Sequence, residues 1–146
     1  MRSLALLAAL SCGSALAFSV PFENWEAQQD GAWQGGGGTC VVREQVSAQP
    51  FPLLETRDDA LAFAERLQDA LYAQKLAAVV AQPVERPGQW GVLASYLLSQ
   101  EGEQYKVTQL YLSTGGKLRT FTGSYKTGAF DQCVNDLQSF VRYLAN

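Results

Sequence analysis

The stretch "WGVLASYLLSQEGEQYKVTQLYLSTGGKLRTFTGSY", Trp90 to Tyr125, decides the fold. It contains three runs rich in β-branched and aromatic residues: Trp90 to Ser99, Gln104 to Leu112 and Leu118 to Tyr125. They are separated by "QEGE" and "STGGK". Short connections containing glycine suit hairpins, and consecutive hairpins make an antiparallel meander. In the middle run Lys106 and Thr108 alternate with Tyr105, Val107 and Tyr111, which marks one face as wetter, although Leu110 and Leu112 blur the alternation.

Upstream, "AAVVAQPVE" (Ala77 to Glu85) reads as a strand weakened at its end by Pro83, and "RPGQ" as a turn. Before it stands a helix signal. Thr56 lies three residues before Asp59 in "TRDD", a capping-box start, and Asp58 and Asp59 sit where the helix dipole favours negative charge. Ala60, Phe63, Ala64, Leu67, Ala70 and Leu71 then recur at intervals of three and four, giving an apolar stripe through to about Leu76. "TCVVREQV" (Thr39 to Val46) reads as an earlier strand, with Pro50 and Pro52 set to interrupt any ladder beyond it. Downstream, Phe130, Cys133, Val134, Leu137, Phe140, Val141 and Leu144 form a second stripe of helical period that contains a cysteine. These elements predict an α+β domain. Its antiparallel sheet is the meander of three C-terminal strands plus one or two earlier strands, packed with two amphipathic helices.

The first residues, "MRSLALLAALSCGSALA" (1–17), carry a positive charge at Arg2, an apolar run from Leu4 to Leu10 and small residues at Ala15 and Ala17. That is the pattern of a secretory signal peptide, too short in its apolar core to span a bilayer. Cleavage after Ala17 leaves residues 18–146 as one domain, opening on an irregular arm (18–38) rich in aromatics and glycine. The alternative is a lipoprotein anchored through Cys12, against which bulky Leu10 stands two residues before that cysteine. Export also settles how the cysteines are read. Cys40 and Cys133 remain as an even pair in an oxidising compartment, most simply a disulfide. It closes a loop of about ninety residues, for which chain entropy gives on the order of 4 kcal/mol.

Composition excludes several functions. The chain has 11 Lys and Arg against 14 Asp and Glu; without Arg2 the balance is near −4, and no basic run offers a footprint for nucleic acid. There is no histidine, so no Ser-His or Cys-His pair can form and the commonest zinc and copper ligand is missing. The glycines of "DGAWQGGGGTC" (Asp30 to Cys40) do not make a phosphate loop. Gly37 and Gly38 stand where lysine and a hydroxyl residue are needed, and a strand follows where a helix should. They read instead as slack chain leading into the Cys40 strand. Asp58 and Asp59 are explained by capping and Glu101 with Glu103 by a solvated turn, and no loop has calcium-binding spacing. The expectation is no catalytic residue, no metal and no cofactor.

The last third of the chain resembles the PsbP and DcrB-like group of small α+β domains. The matching residues are Tyr111-Leu112, Gly116-Lys117, Thr120 to Thr122, Phe130-Asp131 and Phe140-Val141, within about residues 57–145. Members of that group are mostly non-enzymatic, so the resemblance implies binding rather than catalysis. "FENW" and "CVVREQV" are also similar to the opening of the invasion-associated locus B family, from which the chain departs in having no cysteine at 27–29.

The reading that follows is an exported, periplasmic or secreted module that binds another envelope or exported protein, as an inhibitor, immunity protein or assembly factor. The alternative is a small-molecule or lipid binder with a pocket between sheet and helices. Trp25 and Trp33 on the arm, with Lys106, Thr108, Arg119, Thr120 and Thr122 on the sheet, are the expected partner surface.

Overall fold

The computed structural model describes residues 18–146; the expected signal peptide and Cys12 lie outside the described residues. Seven strands form one antiparallel sheet: β1 (Trp25–Ala27), β2 (Ala32–Gly35), β3 (Cys40–Pro50), β4 (Ala77–Arg86), β5 (Gln89–Gln100), β6 (Glu103–Thr114) and β7 (Lys117–Lys126). Their spatial order is β1-β2-β3-β7-β6-β5-β4. Helix α1 (Arg57–Ala73) connects β3 to β4, and α2 (Gln132–Ala145) follows β7.

The meander is as the hairpin signals predict and includes β4 as a fourth strand. Pro83 is accommodated because β4 lies at the sheet's outer edge, where a missing N–H breaks no ladder. A register irregularity between Ala77 and Val80 further blunts that edge. The arm departs from expectation. Residues 18–24 are irregular, but the rest of it supplies β1 and β2, which extend the sheet beyond β3. Strands of three and four residues are too short to show alternation, so only their pairing, β1 with β2 and β2 with β3, reveals them.

In an antiparallel ladder paired residues share a face, so the register assigns each side chain. Val42 pairs with Gly123, Gly123 with Thr108 and Thr108 with Ser95. That face is covered by α2, whose Cys133, Leu137, Phe140 and Val141 pack with Cys40, Val42, Trp25 and Val20. Val92 and Tyr111 pair on the opposite face. There they meet α1 through Ala60, Ala64 and Leu71, with Phe63 and Leu67 partly buried beside them. Ala70, assigned to the α1 stripe by spacing, is exposed. The helices therefore lie on opposite faces, and each covers only part of its face. The α1 side is pinned by Phe51, whose N–H donates to the Gly116 carbonyl (2.7 Å) and whose carbonyl accepts from Ser113 Oγ (3.2 Å).

Helix α1 begins as its sequence predicts. The Asp59 N–H donates to Thr56 Oγ1 (3.1 Å) and the Thr56 N–H to Asp59 Oδ2 (3.1 Å), a reciprocal capping box. Under this helix Tyr111 is buried, its hydroxyl donating to Gln109 Oε1 (2.6 Å). Burial, with Tyr96 nearby as a second contribution, pushes its phenol well above the ordinary 10.0. The folded state therefore holds the proton after an unfolded tyrosine has lost it. This contribution to stability is complete below pH ~10 and declines as pH rises beyond it. Tyr111→Phe is expected to flatten the fall in unfolding free energy between about pH 9 and 11.5, read by urea titration. An unchanged slope contradicts the assignment.

Cys40 and Cys133 stand at disulfide distance, with Cα atoms 6.0 Å apart and both residues buried. The glycines before Cys40 are not slack. Gly36–Gly38 form a single 3-10 turn joining β2 to β3. A Cβ on Gly35 would lie 2.5 Å from the Trp25 ring, and one on Gly36 would lie 2.8 Å from both the Asp131 carboxyl and the Cys133 sulfur. Gly36 also has φ +61°, a conformation glycine alone adopts freely. The bare backbone lets the β2–β3 turn close onto the start of α2.

Candidate functional site

The sheet residues expected from sequence to form one partner surface divide between the two faces. Lys106, Thr108 and Arg119 lie on the α2 face, because they pair with Tyr125, Gly123 and Leu112. Thr120 and Thr122 pair with Tyr111 and Gln109 on the other face. Arg119 and Thr120 are consecutive in a strand, so they point to opposite sides. Arg119 Nε is bonded to Glu44 Oε1 and its guanidinium lies over the Phe121 ring (4.9 Å). Thr122 Oγ1 accepts from Gln109 Nε2 (3.2 Å). Trp25 is buried beneath α2, its indole N–H donating to Asp136 Oδ2 (3.3 Å). Trp33 is partly buried against the same cluster. Of the seven residues, only Lys106 and Thr108 line a common concavity.

That concavity is a groove of about 450 Å³ running between the C-terminal half of α2 and the open half of the sheet face. Val84, Leu93, Val141 and Ala145 give it apolar walls, and Lys106, Tyr125, Gln138 and Arg142 add polar groups.

A second feature stands at the other end of α2. Phe130 is 101% exposed, although its spacing to Cys133 places it in the helix's apolar stripe. The helix starts after it. Asp131 is the N-cap, accepting from the Cys133 N–H at 2.9 Å, so Phe130 occupies the position before the cap. A hydrophobic residue there normally packs on the fourth helical residue, which here is Asn135, polar and exposed. Phe130 thus has no apolar neighbour to fold onto. The capping signal of Asp131 was readable in the sequence and would have located this exposure.

The loop bearing Phe130 is held on both sides. The Ala129 N–H donates to the Lys126 carbonyl (3.2 Å) and the Thr127 N–H to the Gln104 carbonyl (2.9 Å). Lys126 pairs with Glu103 (2.7 Å), and this hydrogen bond raises the ammonium pKa. Cys133 fixes the other side. Beside the loop lies an open cleft of about 500 Å³ lined by Gly38, Thr39, Tyr105 and residues 126–129.

Among the described residues no group of three or more His, Cys, Asp or Glu is placed to hold a metal ion. No helix among them is long and apolar enough to cross a membrane. No protein-family model matches the chain, and no curated protein matches it.

Proposed function

We propose that this is an exported module that binds another envelope or exported protein, as an inhibitor, immunity protein or assembly factor, and that Phe130 is its anchor. The observation that carries this reading is the complete exposure of Phe130 on a loop fixed by a helix cap, backbone hydrogen bonds and a nearby cysteine pair. Phenylalanine is enriched at protein interfaces, and a few central aromatic side chains commonly dominate their energetics. A rigid loop adds to this, since a side chain already in place loses little conformational entropy on binding. The cleft beside Phe130 gives a partner a recess next to the anchor. The cysteine pair suits an oxidising compartment. The resemblance to PsbP and DcrB-like domains points the same way, toward binding.

Both ends of the sheet argue for docking by loops rather than by strand addition. Pro83 and the irregularity of β4 blunt one edge, and the other is the three-residue β1. Phe130→Ala tests the reading. Burying a phenylalanine side chain is worth about 1.5–3 kcal/mol, so the variant is expected to bind its partner about 10–100-fold more weakly. Unfolding free energy should change by less than about 0.5 kcal/mol, as for a surface substitution. Affinity capture from the cell envelope with both forms reads the first quantity and urea unfolding the second. Equal recovery of a stoichiometric partner by both forms contradicts the assignment.

A further inference from the structure

The groove beside α2 is a separate site, at the opposite end of that helix from Phe130. We propose that it binds a single-chain anionic amphiphile, an acyl chain carrying a carboxylate or phosphate head. The groove has one polar end and an apolar middle, and Glu85, Arg142 and Asn146 stand at its outer end. Lys106, Thr108, Tyr125 and Gln138 stand at the polar end. There Lys106 Nζ reaches only a neutral partner, Ser95 Oγ (3.5 Å), and Gln138 Nε2 donates to the Tyr125 hydroxyl (3.5 Å). Four residues further along β6 is Leu110, paired with Leu93, and there Leu93, Leu137 and Val141 give an apolar trough that Val84 and Ala145 continue toward Glu85, Arg142 and Asn146 at the rim.

Charge decides the head. Among the described residues the ion pairs are Arg43 with Asp30, Arg119 with Glu44 and Lys126 with Glu103. Neither groove cation, Lys106 or Arg142, belongs to one. Glu85 is the single carboxylate side chain in the lining, so the lining side chains carry two cations and one anion in a chain of net charge −3. An anionic head fits Lys106, which carries the only formal charge at the polar end and offers three donors.

Length and volume decide the tail. Four residues of strand separate the Lys106 level from the Leu93 level, about 13 Å at ~3.3 Å per residue. An extended chain advances about 1.2 Å per bond, because one residue's three backbone bonds span ~3.3–3.6 Å. A tail of about ten to twelve carbons therefore spans the trough. The volume of about 450 Å³ falls in the range of small-molecule sites.

The test titrates the purified protein with dodecanoate, dodecyl phosphate and dodecanol, each below its micellar concentration, by calorimetry and by amide chemical shifts. Saturable binding is expected, at least about tenfold tighter for an anion than for dodecanol, with shifts concentrated at Lys106, Thr108 and residues 138–145. Whichever anion leads assigns the head as carboxylate or phosphate. Lys106→Met is expected to remove the preference for the anion, and Phe130→Ala to leave binding unchanged. Equal affinity for dodecanol, an unaltered preference in Lys106→Met, or no saturable binding overturns the proposal. None of these outcomes bears on the role of Phe130.

Discussion

Replacing both Cys40 and Cys133 by alanine is expected to lower the free energy of unfolding by about 4–5 kcal/mol. The bond joins residues separated by 93 positions, and the chain-entropy model gives about that stabilisation for a loop of this length. Small domains have about 5–15 kcal/mol in total, so the variant should sit close to its unfolding threshold. The geometry localises the consequence. Cys133 is the second residue of α2, and the helix reaches the sheet through Leu137, Phe140 and Val141. Losing the bond frees the start of α2 while leaving that apolar contact, so the variant should fray from Asp131 inward. Urea unfolding followed by tryptophan fluorescence measures the first effect, and amide exchange across 131–136 the second. A loss below about 1 kcal/mol, or two free thiols by intact mass in the protein purified without reductant, contradicts the account.

Gly36→Val is expected to cost a similar amount, about 3–6 kcal/mol. Three effects add at this position. A β-branched residue is forced to φ +61°, at about 1–2 kcal/mol. Its Cβ meets the Asp131 carboxyl and the Cys133 sulfur at 2.8 Å, and overpacking of this kind costs about 1–3 kcal/mol. Displacing Asp131 also weakens the cap of α2, worth about 1 kcal/mol. Gly37→Ala is the control. Gly37 has nearly the same φ, +64°, but nothing lies within 4 Å of its Cβ position. It should lose only the conformational part, about 1 kcal/mol. Equal effects at the two glycines, measured by urea unfolding, contradict the close approach of turn and helix.

These adjacent glycines show where sequence reading stops. "GGGG" announces an unusual backbone but not what it approaches, because Asp131 and Cys133 come from the far end of the chain. The meander was legible because its hairpin turns and β-rich runs are local signals. The cysteine pairing was legible because residues 18–146 hold only two cysteines. The strands of the arm were not, since β2 acquires its ladder from β3 and β1 only from β2.

The sheet residues expected to form one partner surface divide between the faces for a related reason. Polarity along β6 and β7 grouped Lys106, Thr108, Arg119, Thr120 and Thr122, whereas strand alternation separates Arg119 from Thr120 whatever their chemistry. Phe130 was absorbed into a helical stripe because its spacing to Cys133 extends the period backward across the N-cap. The period describes a helix; only the cap says where the helix begins.

The central claim is that the Phe130 loop meets a protein partner, and site-specific photo-crosslinking tests it most directly. A photoreactive residue is placed at position 130, and at position 45 as a control. Gln45 is exposed on the sheet face opposite α2. After illumination of intact envelopes, the account predicts one discrete adduct of defined mass from position 130 and none from position 45. No adduct at 130, or the same adducts from both positions, contradicts it.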